Sequence, residues 1–238
     1  MTVYAIAKAN TNAELVEQCA ELGYLRREFR VLEPTWRNGR FWSRWQPDEL
    51  YGSDLVTECS PVGRSIDARR LPWRDGWFDA VVVDGPYKLN GTSTGEGPSA
   101  SDVDYGVDRY NSVAGRHGLL ADMMTEAHRV LAPAARVRVD RGRHEWVGGI
   151  LLFKCQDQVC NQQIWWQTDI FTRHAETLGL VKVDSLMLEG YREQPPRTRK
   201  HGDCHGSGCL MCEDGRVPSR QEHAARNYST LMVLQKLS

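Results

Sequence analysis

The sequence predicts an open α/β sheet with helices packed on its faces. Short apolar runs of strand character alternate with longer stretches of helical periodicity, the pattern of a sheet built from strand–helix units. One run, Phe78-Asp-Ala-Val-Val-Val-Asp, is nearly continuous in apolar residues, as a strand buried on both faces of a parallel sheet must be. The length of 238 residues exceeds one domain of about 150 residues, so a single domain over 1–238 carrying an insertion is expected.

The elements follow in order. Leu15, Cys19, Leu22 and Leu25 recur at helical spacing and predict a helix over 13–28, capped by Asn12. Strand-like runs come next at Phe29–Pro34, Leu50–Leu55, Gly63–Ala68 and Phe78–Asp84. Residues 88–115, rich in Gly, Ser, Thr and Asp, read as a long loop of the kind that carries function. Leu119, Leu120, Met123, Met124, Ala127, Val130 and Leu131 predict a helix over 116–131, stopped by Pro133. Residues 134–148 are basic and irregular and read as a hairpin insertion. Gly149–Cys155 is a fifth strand, 162–179 a helix ended by Gly179, Leu180–Leu188 a sixth strand and Asn227–Gln235 the last. Residues 189–226 break the rhythm with Pro, Gly, His and Cys and form an insertion between the last two strands.

Composition narrows the function classes. Lys plus Arg number 30 against 31 Asp plus Glu, a formal charge of −1, which excludes a uniformly basic surface but not local patches. No run approaches the ~18 apolar residues of a membrane span. The opening Met1-Thr-Val-Tyr-Ala-Ile-Ala-Lys lacks the basic and long apolar segments of a signal peptide, so none is expected. Seven cysteines, three of them within Cys204–Cys212, suit a reduced cytoplasmic protein with a local metal site better than a disulfide framework.

In an open α/β sheet, ligands bind beyond the carboxyl ends of the strands. Those ends carry acids here: Glu33, Asp54, Asp67, Asp84 and, after the fifth strand, Asp157. A strand-terminal carboxylate can accept two hydroxyl donors, which is how a ribose is gripped. Phe78-Asp-Ala-Val-Val-Val-Asp-Gly-Pro-Tyr, and Glu126-Ala-His-Arg-Val-Leu-Ala-Pro after the helix, resemble two stretches of the class I S-adenosylmethionine-dependent methyltransferases that act on exocyclic amino groups. The first is similar to their Asp-Pro-Pro-Tyr motif. The likeness spans about 29–188 and 227–237.

The resemblance implies a Rossmann-like twisted sheet of about seven strands, mostly parallel with an antiparallel last strand. It implies a cofactor loop of Pro34, Thr35, Asn38 and Gly39 with Glu33 at its base, Asp54 on the ribose, and Asp67 and Ala68 at the adenine. It implies that Asp84 and the Gly85 carbonyl accept hydrogen bonds from the target amine, with Pro86 in the same motif and Tyr87 stacked on the target ring. The implied reaction is methylation of a nucleobase amino group, adenine N6 or cytosine N4 of DNA. The chain departs from the pattern twice. Its cofactor loop has one glycine, with Trp36 and Arg37 where a close backbone approach is usual, and its motif reads Asp-Gly-Pro-Tyr. A silent fold that binds nucleic acid or protein, and a tRNA or small-molecule methyltransferase, stand as alternatives.

Two further features complete the reading. His201, Cys204, His205, Cys209 and Cys212 place soft donors at zinc-like spacing, implying a structural Zn²⁺ held by the three cysteines and one histidine. Residues 26–44 and 129–143 each carry a net charge of +4 and residues 192–200 a net of +3. With Trp36, Trp42, Trp45, Trp146, Trp165 and Trp166 interleaved, such patches suit phosphates and bases. His117, His128 and His174 read as structural or surface groups.

Overall fold

A computed structural model describes residues 8–89, 110, 112–140, 143–160, 163–190, 198–200, 216–218 and 228–237. Strand β1 (Lys8–Ala9) leads into helix α1 (Asn12–Glu21). Thr11, not Asn12, caps α1, its hydroxyl accepting the Glu14 N–H at 3.2 Å. The helix is shorter than its apolar spacing predicts because Gly23, at φ +86°, turns the chain back as Tyr24 N–H bonds the Cys19 carbonyl. Strands β2 (Arg30–Glu33), β3 (Glu49–Gly52) and β4 (Ala80–Val83) follow. The expected strand at Gly63–Ala68 does not form. That segment is tied down by loop bonds, Ile66 N–H to the Asp54 carbonyl at 2.8 Å, the Ser65 hydroxyl to the Leu55 carbonyl at 2.6 Å and Gly63 N–H to the Ser60 carbonyl at 2.9 Å, and pairs with no strand.

Helix α2 (Val113–Val130) is capped by the Ser112 hydroxyl. The basic stretch forms the expected hairpin, β5 (Ala135–Asp140) with β6 (Arg143–Val147). Strand β7 (Ile150–Cys155) is buried throughout. A second hairpin, β8 (Gln158–Cys160) with β9 (Gln163–Trp165), occupies what reads in sequence as the start of a helix, so α3 is confined to Gln167–Thr177. Strand β10 (Leu180–Glu189), a small antiparallel pair β11 (Thr198–Lys200) and β12 (Arg216–Pro218), and β13 (Tyr228–Lys236) complete the described elements. The metal-ligand candidates His201, Cys204, His205, Cys209 and Cys212 lie outside the described residues.

The seven-stranded sheet runs β1-β10-β13-β7-β4-β2-β3. All its strands are parallel except β13, which is antiparallel to both β7 and β10. The continuous apolar character of β4 now has its reason. Val81 and Val83 point into one core with Leu120, Met124, Phe153 and Phe171, beneath α2 and α3. Ala80 and Val82 point into the other with Leu15, Val16, Trp42 and Leu152, beneath α1. Burying each large side chain contributes about 1.5–3 kcal/mol, so the two cores fix β4 firmly and its carboxyl end with it.

Two glycines at positive φ separate strain from crowding. At Gly149 (φ +63°) an added Cβ would lie 2.6 Å from the Ala134 nitrogen and 2.7 Å from the Lys236 oxygen, whereas at Gly23 (φ +86°) it would meet open space. Gly23→Ala is expected to cost about 1 kcal/mol of folding stability and Gly149→Ala at least about twice that, in denaturant titrations of the two variants.

Candidate active site

The chain leaves β2 toward β3 on one side of the sheet and toward β4 on the other, which makes the β2/β4 crevice the switch point where such folds bind ligands. The ends of these strands are stitched together by the Asp84 N–H, which donates to the Thr35 hydroxyl at 3.0 Å. A cleft opens here in two lobes that share Thr35, Arg37, Asp84 and Pro86. The first, about 550 Å³ including space open to solvent, brings Pro34, Thr35, Asp54, Asp67, Ala68, Asp84 and Pro86 together against an apolar wall of Leu55, Leu119 and Met123. The second, about 1130 Å³ on the same measure, gathers Glu33, Asn38, Gly85 and Tyr87 with Asn12 and Lys154. Gly39 lines neither lobe.

The loop after β2 accommodates its bulky residues by an unexpected route. The Trp36 indole fills a slot between Gly39 and Gly52: a Cβ on Gly39 would lie 2.6 Å from its Cζ2, and one on Gly52 2.4 Å from its Cε3. Trp36 therefore does not crowd the loop as expected, because two glycines make room for its ring. Arg37 sits at φ +53°, the one non-glycine residue at positive φ among the described residues, where glycine is the usual choice. Asp54 holds this strained turn, with Oδ2 accepting the Arg37 N–H at 2.7 Å and Oδ1 the Val56 N–H at 2.8 Å. The carboxylate expected to grip a ribose thus also builds the loop, and keeps one further lone pair on each oxygen.

Glu33 is 1% exposed and accepts a hydrogen bond from the Trp42 indole. Burial pushes its carboxyl up to about 9; the Trp42 donor opposes this, and the charges of Asp84 and Asp54 add to it. At neutral pH Glu33 is a protonated acid. Trp42 is core, 1% exposed, and packs against Trp45. It is not a base-stacking surface.

Asp84 meets a group that sequence reasoning missed. Lys154, 3% exposed at the end of β7, places its Nζ 3.4 Å from each Asp84 oxygen and 2.8 Å from the Asn12 side-chain oxygen. Burial alone would lower this ammonium, but Asp84 and Tyr87 outweigh it and hold it above its ordinary value. Asp84 Oδ1 is itself buried and, apart from this ion-pair contact with Lys154, accepts no hydrogen bond among the described residues. The Gly85 carbonyl accepts the Tyr87 N–H at 2.8 Å. A Cβ on Gly85 would lie 2.6 Å from Leu120 Cδ2, so α2 packs where a proline ring would stand, and glycine is the residue that fits. Burial raises the Tyr87 hydroxyl, which has Ser229 and Lys154 as hydrogen-bonding neighbours. Arg116, 3% exposed on α2, donates to the Pro86 carbonyl at 3.1 Å and fixes the far side of the motif. Asp67 is bound by Arg69 at 2.6 Å, and Arg69 lies over the Tyr110 ring.

Among the described residues no group of three or more His, Cys, Asp or Glu could hold a metal. No helix among them is long and apolar enough to cross a membrane. His117 lies edge-on to Trp165 and Phe171, and His174 bonds the Ala121 carbonyl, both in packing roles.

No family model matches the chain, and no curated protein matches its sequence. Solved structures do match its fold. A Bacillus halodurans protein assigned as a methyltransferase is 15% identical, with 94% of this chain and 99% of that one covered and a TM-score of 0.51. The [4+2]-cyclase SpnF is 12% identical, with 95% and 81% covered and a TM-score of 0.50. The chain has the Rossmann-like methyltransferase fold. Because a methyltransferase and a cyclase share it, the chemistry must be argued from the site.

Glu33 gives a test of the site's electrostatics. Unfolding releases its proton above pH about 4.5, whereas the folded chain keeps it up to about 9, so this group lowers stability progressively as pH rises between those values. Glu33→Gln keeps an acceptor for Trp42 and removes the titration. Its stability advantage over the parent should grow across that window, reaching about 3 kcal/mol at pH 7. Paired urea titrations at pH 5, 7 and 8.5 read it, and a difference independent of pH would contradict the assignment.

Proposed function

We propose that the chain is an S-adenosylmethionine-dependent methyltransferase acting on an exocyclic amino nitrogen of a nucleobase, DNA adenine N6 or cytosine N4. The observation that carries this reading is Asp84 Oδ1, a buried oxygen where the two lobes meet that has the Lys154 ammonium at 3.4 Å but accepts no well-formed hydrogen bond among the described residues. The first lobe suits the cofactor. Its apolar wall faces a nucleobase ring, Asp54 and Asp67 offer carboxylate oxygens to ribose and adenine, and acids suit a cationic sulfonium. When bound, the cofactor supplies an electrophilic methyl group.

The residues of the chain do the rest. Asp84 accepts a hydrogen bond from the target amine and aims its lone pair across the cleft. As that methyl group passed to the nitrogen and the sulfonium became a neutral thioether, Asp84 would take up the proton shed by the nitrogen. Lys154 balances the charge of Asp84 while it waits. Holding the two partners in one cleft makes the transfer effectively unimolecular. A base within a duplex must be extruded to reach Asp84, at about a few kcal/mol. We also propose, on the donor set alone, a structural Zn²⁺ held by Cys204, Cys209, Cys212 and one of His201 or His205.

Three outcomes are expected. Asp84→Asn should fold, bind S-adenosylhomocysteine, which lacks the sulfonium charge, within about tenfold of the parent, and transfer methyl groups about 10²–10³ more slowly to adenine- or cytosine-containing DNA. Parental turnover by this variant on its acceptor would refute the role of Asp84. Asp54→Ala should weaken cofactor binding about tenfold or more and also cost about 1–3 kcal/mol of stability, because the Arg37 and Val56 N–H groups lose their acceptor. Elemental analysis of protein purified without added metal should find one zinc per chain.

A further inference from the structure

The two lobes of the cleft carry opposite charge. The first is lined by Asp54, Asp67 and Asp84 against Arg37 and Arg69. The second is lined by Arg37, Arg40, Lys88, Arg116 and Lys154 against Asp84 and the buried, protonated Glu33. Within that basic set Lys154 is committed to Asp84, and Arg116 donates to the Tyr110 and Pro86 carbonyls. Arg40 and Lys88 differ. Both are exposed, and no carboxylate among the described residues pairs with either. Much of the surrounding basic stretch is neutralised, with Arg44 on Glu17 and Glu14, Arg30 on Asp79 and Arg27 on Asp48.

These two cations are presented by held backbone. The Tyr87 carbonyl accepts from both Gln158 and Gln167 at 2.9 Å, and the Leu89 N–H donates to Gln158 at 2.9 Å, so the residues on either side of Lys88 are clamped. Arg40 opens a short 3₁₀ turn whose next residues, Phe41 and Trp42, are core. One cation follows β2 and the other follows β4, and both line the lobe that Asp84 also lines. A neutral base would gain nothing from them.

We propose that the second lobe seats a phosphate of the acceptor nucleotide between Arg40 and Lys88, so that the acceptor is a nucleotide unit and not a free base or nucleoside. The proposal rests on the reading of Asp84 as the amine acceptor. Arg40 supplies a planar fork of donors and Lys88 a point charge, a pairing that suits phosphate oxygens. The phosphate fixes the nucleotide, and Asp84 then selects its amino nitrogen.

The test uses the full chain with S-adenosylhomocysteine, titrated at low salt with deoxyadenosine and deoxycytidine and with their 5′-monophosphates. For at least one base the monophosphate should bind about tenfold or more tightly than its nucleoside, as one charge-assisted contact would give. Arg40→Gln with Lys88→Gln should erase that difference and leave S-adenosylhomocysteine affinity within about twofold, and Arg40→Lys should retain part of it. Equal binding of nucleoside and monophosphate by the parent, or a difference that survives the double substitution, overturns the proposal. Methyl transfer separates it from the reading beneath. Transfer to nucleoside and nucleotide alike would keep the amine reading and sink the phosphate seat. Phosphate-dependent binding with no transfer to either base would keep the seat and sink the amine reading.

Discussion

The site depends on one buried ion pair. Lys154 and Asp84 end two adjacent parallel strands, β7 and β4, and face each other at 3.4 Å with the lysine almost wholly out of water. Removing two charges from water costs several kcal/mol each before their attraction repays it, so such a pair is a poor device for stability alone. Its value is positional. The ammonium also binds Asn12 on the first turn of α1 and lies 5.5 Å from the Tyr87 and Phe41 ring centres. A single cation therefore ties the N-terminal helix, two central strands and the loop after β4 around the Asp84 carboxylate.

The walls of the cleft rest on where a Cβ cannot go. Glycine at 85 lets α2 close over the motif, and glycines at 39 and 52 let Trp36 lie flat between two loops. Against these, Arg37 accepts a backbone conformation that costs roughly 1 kcal/mol, held by the hydrogen bond from its N–H to Asp54. The departures of this chain from the expected motifs are thus compensated locally. A proline is missing where a helix packs, and a glycine is missing where a carboxylate holds the turn.

Much of this was legible in the sequence. The β-branched run of β4 marked a doubly buried strand, and the acids after β2, β3 and β4 marked the ligand edge. Asp54, Asp67 and Asp84 do meet in one lobe. Two things were not legible. Ile66 and Ala68 are buried, yet Gly63–Ala68 finds no strand partner, and apolar content does not disclose pairing. The β8–β9 hairpin hides in residues that suit either a strand or a helix. Lys154 carried a signal that went unread. A lysine in the run Ile-Leu-Leu-Phe-Lys-Cys, buried at every position, needs an anion beside it, and the neighbouring strand ends in one.

The central claim is that one cleft at the β2/β4 switch point holds cofactor and acceptor on either side of Asp84. A crystal structure of the chain with S-adenosylhomocysteine tests it most directly. The ribose is expected against Asp54, the adenine between Ala68 and Leu119, and the sulfur turned toward Asp84. A ligand seated elsewhere, or with its sulfur turned away from Asp84, would contradict it.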